Sequence, residues 1–239
     1  VPELIKTLQQ SMPVFLVTNN SNNFITEIAA RLEKQDVFIP ESHIISSGYG
    51  LSYDPQCKAI IQGKSVFVYG YEKSYPYVEL AKPKEIVQTL ELAEAVVFTS
   101  SFKDGNDERK AKLIQFMKKN PTIPMVCCNP DRFVKDVNMQ KYYVCGQTAE
   151  DVSKETGLPV YFVGKPLENF SAIVRKIIED HGYTLGSDTL FVDDNPHNVI
   201  RLQEDLGITG ICATGTGIYP FLKEDDFFNK SPVYFIESL

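Results

Sequence analysis

Two adjacent carboxylates and one lysine are the side chains of this sequence best placed to do chemistry. Asp193 and Asp194 follow the apolar run 189–192, and Lys165 follows the apolar run 159–163 and a glycine. Both runs have the composition of buried strands, and open α/β sheets bind ligands just outside the carboxyl ends of their strands. Two acids and one amine at such an edge predict a site for a divalent cation and a phosphate group.

The carboxylate pair suits a metal ion. Asp193 and Asp194 would repel each other unless a cation or a basic group compensates, and oxygen-rich sites that retain water suit Mg²⁺. Both residues are therefore predicted metal ligands. The alternative is that Asp194 and Asn195 only start a turn, helped by Pro196.

The lysine is predicted to lie in the first turn of a helix, because Pro166 follows it. A positive charge there opposes the helix macrodipole, so Lys165 needs an anionic partner or exposure to solvent. Either would serve equally well.

A second group of polar residues follows the apolar run 14–17, where a strand gives way to a helix. The group consists of Thr18, Asn19, Asn20 and Ser21. Hydroxyls and backbone N–H groups at a helix N-terminus form an anion site. The simpler alternative is that Asn20 or Ser21 only caps the helix.

The elements that position these residues follow an alternating pattern. Short apolar runs alternate with amphipathic segments, which is typical of βαβ units and predicts an α/β fold with a parallel sheet. Residues 49–145 have an alternation of their own and are predicted to form an inserted α/β cap domain. Residues 1–48 and 146–239 are predicted to form one discontinuous, Rossmann-like core domain. The predicted strands include 65–69, 95–99, 125–128, 159–163, 189–193, 209–213 and 233–236, and the predicted helices include 2–11, 22–34, 103–119, 148–156 and one that ends at Asp180.

Composition excludes several classes of function. The chain has 239 residues, of which 43% are hydrophobic and 23% charged, as in globular proteins. A net charge of -7 argues against nucleic acid or an anionic membrane as a partner, and no apolar run approaches the ~20 residues of a membrane span. The five cysteines are scattered, which favours buried reduced thiols in a cytoplasmic protein over disulfides or zinc.

Four segments, in this order and spacing, resemble the motifs of the haloacid dehalogenase (HAD) superfamily. They are residues 17–21 (VTNNS), 128–131 (CNPD), 163–166 (VGKP) and 191–194 (FVDD). The resemblance is strongest to subclass IIA, the NagD-like and p-nitrophenyl phosphatase-like enzymes, whose large α/β cap lies between the second and third motifs.

This resemblance implies a HAD-like core and a Mg²⁺-dependent phosphoric monoester hydrolase that works through an aspartyl-phosphate. It implies that Thr18 hydrogen-bonds the transferring phosphoryl group, with Asn19 and Asn20 in the same phosphate-binding loop. Lys165 would neutralise phosphoryl charge and orient the nucleophile. These roles suit phosphoryl transfer, in which positioning and charge compensation supply most of the catalysis.

The resemblance also assigns the metal and the substrate loop. Asp194 or Asp193 would hold Mg²⁺, directly or through water. A cap loop that sets substrate choice matches Asn129, Pro130 and Asp131.

Two departures from the family pattern concern the fourth and first motifs. In the fourth, many relatives have glycine where this chain has Asp193, and a second aspartate where it has Val199, although an Asp-Asp form of the motif also exists. The first motif, Asp-x-Asp-Gly, has no match, since Asp104-Gly105 lies in a charged part of the cap. We expect the nucleophile strand upstream of Val1, between the strands that end at Thr18 and Asp194.

Several functions stay open at this stage. The expected partner is a small phosphorylated metabolite, whether a sugar phosphate, phosphoglycolate, a nucleotide or pyridoxal phosphate. The alternative is a catalytically inactive HAD-like protein that binds a phosphorylated ligand or partner. A homodimer through the cap is a further expectation. Strands 95–99 and 125–128 could form the dimer surface, or they could equally be cap core. A nicotinamide-binding domain is disfavoured because no G-x-G-x-x-G follows an early strand.

Overall fold

The computed structural model describes residues 2–135, 140–214 and 234–236, and it has the α/β architecture that the sequence predicts. The helices are α1 (Pro2–Gln9), α2 (Ile25–Glu33), α3 (Gly50–Tyr53), α4 (Pro55–Ile61), α5 (Tyr75–Leu80), α6 (Asn106–Lys119), α7 (Cys145–Thr156), α8 (Glu168–Asp180) and α9 (Pro196–Leu206). The strands are β1 (Leu16–Thr18), β2 (Ile44–Ser46), β3 (Ser65–Tyr69), β4 (Glu85–Val87), β5 (Ala95–Phe98), β6 (Met125–Cys127), β7 (Phe133–Lys135), β8 (Lys141–Tyr143), β9 (Val160–Phe162), β10 (Leu190–Asp193), β11 (Thr209–Ala213) and β12 (Tyr234–Ile236).

The described strands form four sheets, three of which are parallel. The largest has five strands in the order β4-β3-β5-β6-β9. A three-stranded sheet has the order β10-β11-β12, and β1 pairs with β2 in a two-stranded sheet. Strands β7 and β8 form an antiparallel hairpin. Within the described residues, no helix has the length and hydropathy of a membrane span.

The five-stranded sheet is buried on both faces. Because side chains alternate along a strand, Val97 packs in one apolar cluster with residues of α4 and α8, while Val96 and Phe98 pack in a second cluster with α6 and α7. All four residues of β5 are buried, and both β5 and β6 have a strand on either side. The strands predicted at 95–99 and 125–128 therefore lie in the interior of this sheet, which favours the core reading of these strands.

Strand β9 belongs to this large sheet, which differs from the sequence-based domain boundary. Met125 is in register with Val160, and Cys127 with Phe162. The boundary at residue 145 placed this strand in the core domain, because an apolar run does not specify the sheet in which it pairs. Helix α7 also packs against the large sheet. The division into two domains stays a prediction, but the sheet of the cap segment extends to residue 162.

Helix ends follow the sequence signals in most places. Gly157 (φ +72°) ends α7 and Gly207 (φ +70°) ends α9, both in the left-handed conformation that glycine adopts without strain. Helix α9 begins at Pro196, after Asn195, whose side chain accepts a hydrogen bond from the His197 N–H. Asn195 therefore caps the start of this helix, while metal binding by Asp194 stays a prediction.

Strands β1 and β10 each have one hydrogen-bonded neighbour among the described residues, β2 and β11 respectively. On β10, Leu190 is 57% and Val192 37% exposed, which is unusual for the apolar residues of a parallel sheet. The carboxyl ends of β1 and β10 nevertheless meet at one site. The sequence-based prediction places the nucleophile strand between these two strands.

Candidate phosphate site at the strand ends

Lys165 lies where the ends of β1 and β10 meet the loop after β9. Its Nζ donates to the Val17 carbonyl at 3.0 Å and to Asp193 Oδ2 at 2.5 Å. The residue is only 7% exposed. Of the two alternatives for balancing its charge, an anionic partner is therefore the one observed.

The predicted helical position of Lys165 is wrong. Helix α8 begins at Glu168, after Leu167 in an extended conformation, and the Leu167 N–H donates to the Gly164 carbonyl. Lys165 thus lies in a turn before the helix, which lets its side chain extend between β1 and β10.

The side chain of Asn19 binds the backbone of Lys165 on both sides. Asn19 Oδ1 accepts from the Lys165 N–H at 2.8 Å, and Nδ2 donates to the Lys165 carbonyl at 2.9 Å. Nδ2 also donates to Asp131 Oδ2 at 3.2 Å. One buried amide therefore joins the end of β1, the lysine turn and the predicted cap loop. The sequence placed Asn19 in the phosphate-binding loop but did not predict these side-chain contacts.

The segment after β1 is a tight turn. Thr18 Oγ1 accepts from the Asn20 N–H at 3.1 Å, and Asn20 Oδ1 accepts from the Asn23 N–H at 3.2 Å. Helix α2 starts at Ile25 after Phe24, without a side-chain cap, and Ser21 Oγ donates instead to the Thr99 carbonyl. The capping alternative for Asn20 and Ser21 is therefore wrong.

The carboxylates of the predicted metal pair differ in their surroundings. Asp193 Oδ1 accepts from the Asn195 N–H at 2.8 Å and from Asn198 Nδ2 at 3.2 Å, while Oδ2 accepts from Lys165. Asp194 lines the cleft beside it. Asn198 was missed by the sequence analysis, although its position in the first turns of a helix after two acids was a usable signal.

The predicted cap loop, residues 129–131, reaches the same place. Asn129 Oδ1 accepts from the Asp131 N–H at 2.8 Å, which fixes the loop as a local turn. Burial raises the pKa of the Asp131 carboxyl, while the Asn19 amide and the Lys165 charge act in the opposite direction. A Cβ on Gly146 would overlap the Asp131 carbonyl, so this glycine permits the loop to pack against α7.

These residues enclose a cleft of about 390 Å³. The predicted site residues on its wall are Thr18, Asn19, Asn20, Asn129, Asp131, Lys165, Asp193 and Asp194. Pro130 is the one predicted site residue that does not line it; its ring packs near Gly164 instead. A larger cleft of about 830 Å³ lies between β3 and α6 and contains none of the predicted site residues.

A divalent cation would find an incomplete set of ligands here. The described residues contain no group of three or more His, Cys, Asp or Glu side chains that could hold a metal ion, and both oxygens of Asp193 are hydrogen-bonded. Asp194 is the remaining predicted ligand. These residues alone do not make a metal site, and ligation by either aspartate stays a prediction.

Comparison with known proteins identifies the fold. No model of a protein family matches the sequence, and no curated protein matches it. Solved structures do match. They include a p-nitrophenyl phosphatase from Archaeoglobus fulgidus, with a TM-score of 0.75 and 21% identity over 99% of this chain and 88% of that one.

NagD from E. coli K-12 matches with a TM-score of 0.73 and 20% identity over 98% of this chain and 86% of that one. This chain has the fold of the NagD-like and p-nitrophenyl phosphatase-like HAD proteins. The glycerol phosphate phosphatase Rv1692 from Mycobacterium tuberculosis, solved in complex with calcium, shares the HAD-like fold. Its TM-score is 0.71 at 18% identity, over 87% of this chain and 58% of that one.

Proposed function

We propose that the protein is a HAD-like phosphatase that hydrolyses small phosphomonoesters in the cleft around Lys165. The observation that carries the proposal is the position of the Lys165 ammonium group, buried between the ends of β1 and β10 and bound to Asp193. A fixed positive charge beside hydroxyl and amide donors suits the charge that develops on a transferring phosphoryl group.

Each residue then has a defined task. Thr18 donates its hydroxyl proton to a phosphoryl oxygen, and the turn formed by Asn19 and Asn20 lies beside the same group on the cleft wall. Lys165 compensates its charge. Asn19 holds the Lys165 backbone from both sides, so that the ammonium group need not reorganise during the reaction.

We further propose that an aspartate on a strand between β1 and β10 supplies the attacking carboxylate. Each of these two strands has one hydrogen-bonded neighbour among the described residues, which supports this placement. Mg²⁺ would be held by Asp194 together with ligands from that strand, and would supply charge neutralisation of the phosphate oxygens. In the same proposal the protein is cytoplasmic and its ligand is a small metabolite.

The alternative function is binding of a phosphorylated ligand or partner without turnover. The engagement of both Asp193 oxygens and the lack of a metal-ligating group among the described residues favour it. A homodimer through the cap is compatible with either function and stays a proposal.

Phosphate release separates the two functions. The full-length natural protein, with its N-terminal sequence read directly, is assayed on p-nitrophenyl phosphate and a panel of metabolite esters, with and without Mg²⁺. We expect metal-dependent turnover, with kcat/KM reduced by about a hundredfold or more in Lys165→Met and in Asp194→Asn.

The matched control is Lys176→Met, which removes an exposed lysine of α8 that pairs with Asp180. This variant should keep the wild-type rate. Turnover that is insensitive to Lys165→Met would contradict the proposal, and ligand binding without turnover on any ester would establish the alternative.

A further inference from the structure

The charge on the cleft wall is unbalanced toward acids. Among the described residues that line it, the acids are Asp131, Asp193 and Asp194, whereas Lys165 is the one base and is already bound to Asp193. A transferring phosphate would take up that positive charge, together with the charge of the Mg²⁺ that the proposed function assigns to Asp194. A second anionic group on the same ligand would find no further cation on the described wall.

The nearby cations of the β7–β8 hairpin are directed elsewhere. The Arg132 guanidinium pairs with Glu150 at 2.8 Å, and the Lys141 ammonium lies over the Phe133 ring at 4.5 Å. Neither residue lines the cleft, and neither does Lys135. The wall beyond Lys165 therefore presents acceptors and neutral donors to a ligand.

Carboxylates are the charged acceptors on this wall. Among the described residues that line the cleft, they belong to Asp131, Asp193 and Asp194. A ligand group that can donate a hydrogen bond suits such acceptors better than one that can only accept. Hydroxyl groups can donate, but a carboxylate or a second phosphate can only accept.

Among the described residues that line the cleft, none has an aromatic side chain. Its apolar part consists of Val134, Val144 and Cys145, and the remaining residues are polar or charged. Recognition of a nucleobase or a pyridine ring usually relies on stacking against an aromatic face. Aliphatic hydroxylated ligands need no such surface.

From these observations we infer that the cleft selects phosphate esters of small, uncharged, aliphatic polyols, and that Asp131 acts against anionic leaving groups. This inference rests on the proposed function and narrows its substrate class. A sugar or polyol phosphate fits the wall. A phosphorylated carboxylic acid, a nucleotide and pyridoxal phosphate do not.

Matched pairs of esters test the inference. Glycerol 3-phosphate is compared with 3-phosphoglycerate, and glucose 6-phosphate with 6-phosphogluconate, because each pair keeps its carbon number and differs by one carboxylate. Pyridoxal phosphate and AMP are the aromatic probes. Both kcat/KM and the calorimetric dissociation constant are measured on the full-length protein, so that the preference is tested whether or not an ester is hydrolysed.

We expect the neutral member of each pair to be preferred by about tenfold to a hundredfold, which is the scale of a like-charge contact in a partly buried site. Equal affinity within the pairs, a preference for the carboxylates, or tightest binding of an aromatic ester would overturn the inference. Absence of turnover with the binding preference retained would contradict only the proposed phosphatase activity.

The role of Asp131 is tested with Asp131→Asn, which keeps an oxygen acceptor and removes the charge. The preference for the neutral esters should fall by about fivefold or more. Asp107→Asn is the control, because the Asp107 side chain is 94% exposed on α6 and does not line the cleft. If the preference for neutral esters is unchanged in Asp131→Asn, then Asp131 does not act against anionic leaving groups. The comparison of esters on the wild-type protein tests the substrate class without relying on any variant.

Discussion

Asn19 shows at the residue scale how the site is assembled. Its side chain contacts Lys165, which is 146 positions away in sequence, and Asp131, which is 112 positions away. The sequence predicted that all three residues belong to one site, because each follows an apolar run or belongs to a family-like motif. It did not predict the amide contacts, since a pattern along the chain contains no distances between segments.

The partner of Lys165 was also only partly predictable. The sequence required an anion or solvent near the lysine, and it assigned both aspartates to a metal. The structure pairs Asp193 with Lys165, and metal binding by either aspartate stays a prediction. Local spacing cannot decide between a metal and an ammonium group, because either one compensates a carboxylate at a strand end.

Asp131 makes a prediction about pH at this scale. Burial raises the pKa of its carboxyl above the ordinary value of 3.8, so the folded chain binds this proton more tightly than the unfolded chain does. Its contribution to stability is complete below the unfolded pKa and is lost as the pH rises through the folded pKa. Urea denaturation from about pH 4 to about pH 7 should show the wild-type chain losing stability relative to Asp131→Asn.

The Asp107→Asn variant controls for the loss of an exposed carboxyl, and it should show no comparable slope against pH. If the wild-type chain instead gains stability relative to Asp131→Asn as the pH rises, the fold stabilises the charged form of Asp131. The hydrogen bond from the Asn19 amide and the Lys165 charge would then outweigh the effect of burial.

At the scale of elements, the apolar runs predicted where strands end, and the polar residues that follow those ends do meet. The pairing of β9 with β6 does not follow from the predicted domain boundary, because hydrophobic composition indicates burial and not the neighbouring strand. The start of α8 was misplaced. The turn at Gly164 and Lys165 depends on contacts with Pro130 and Asn19, which lie far away in sequence.

Gly164 lies in the turn before α8, where both the backbone conformation and the neighbouring atoms require glycine. Its φ is +137°, and a Cβ there would lie 2.6 Å from Pro130 Cδ and 2.9 Å from Asn19 Oδ1. Gly164→Ala must therefore displace the cap loop or the Asn19 amide. We expect its free energy of unfolding to fall by at least about 2 kcal/mol more than that of Gly182→Ala, as measured by urea denaturation.

Gly182→Ala is a matched control because Gly182 has a φ of +82° and no atom within 4 Å of the added Cβ. It reports the backbone strain of alanine at positive φ without a collision. Equal losses in the two variants would show that the lysine turn is loosely packed against Pro130, contrary to the described geometry.

At the scale of the whole molecule, the cleft brings together residues that belong to different hydrogen-bonded sheets. The two-stranded sheet supplies Thr18, the three-stranded sheet supplies Asp193, and the segment after the large sheet supplies Lys165. The α/β class and the order of the motifs were predictable from the alternating pattern. The arrangement of the sheets around one buried ammonium group required the structure.

Calorimetric titration with orthophosphate tests the central claim, that Lys165 forms a phosphate site, most directly. Both functions considered above need this site, whatever the rate of turnover. The wild-type protein and Lys176→Met should bind orthophosphate alike, and Lys165→Met should bind it at least about tenfold more weakly, because a hydrogen bond to a charged group is lost.

Lys165→Met leaves Asp193 buried without its ion-pair partner and risks unfolding. The double variant Lys165→Met/Asp193→Asn removes both charges and is titrated beside it, with folding checked by circular dichroism. The account predicts that both variants lose affinity for orthophosphate. Wild-type affinity in a folded variant without Lys165 would contradict it.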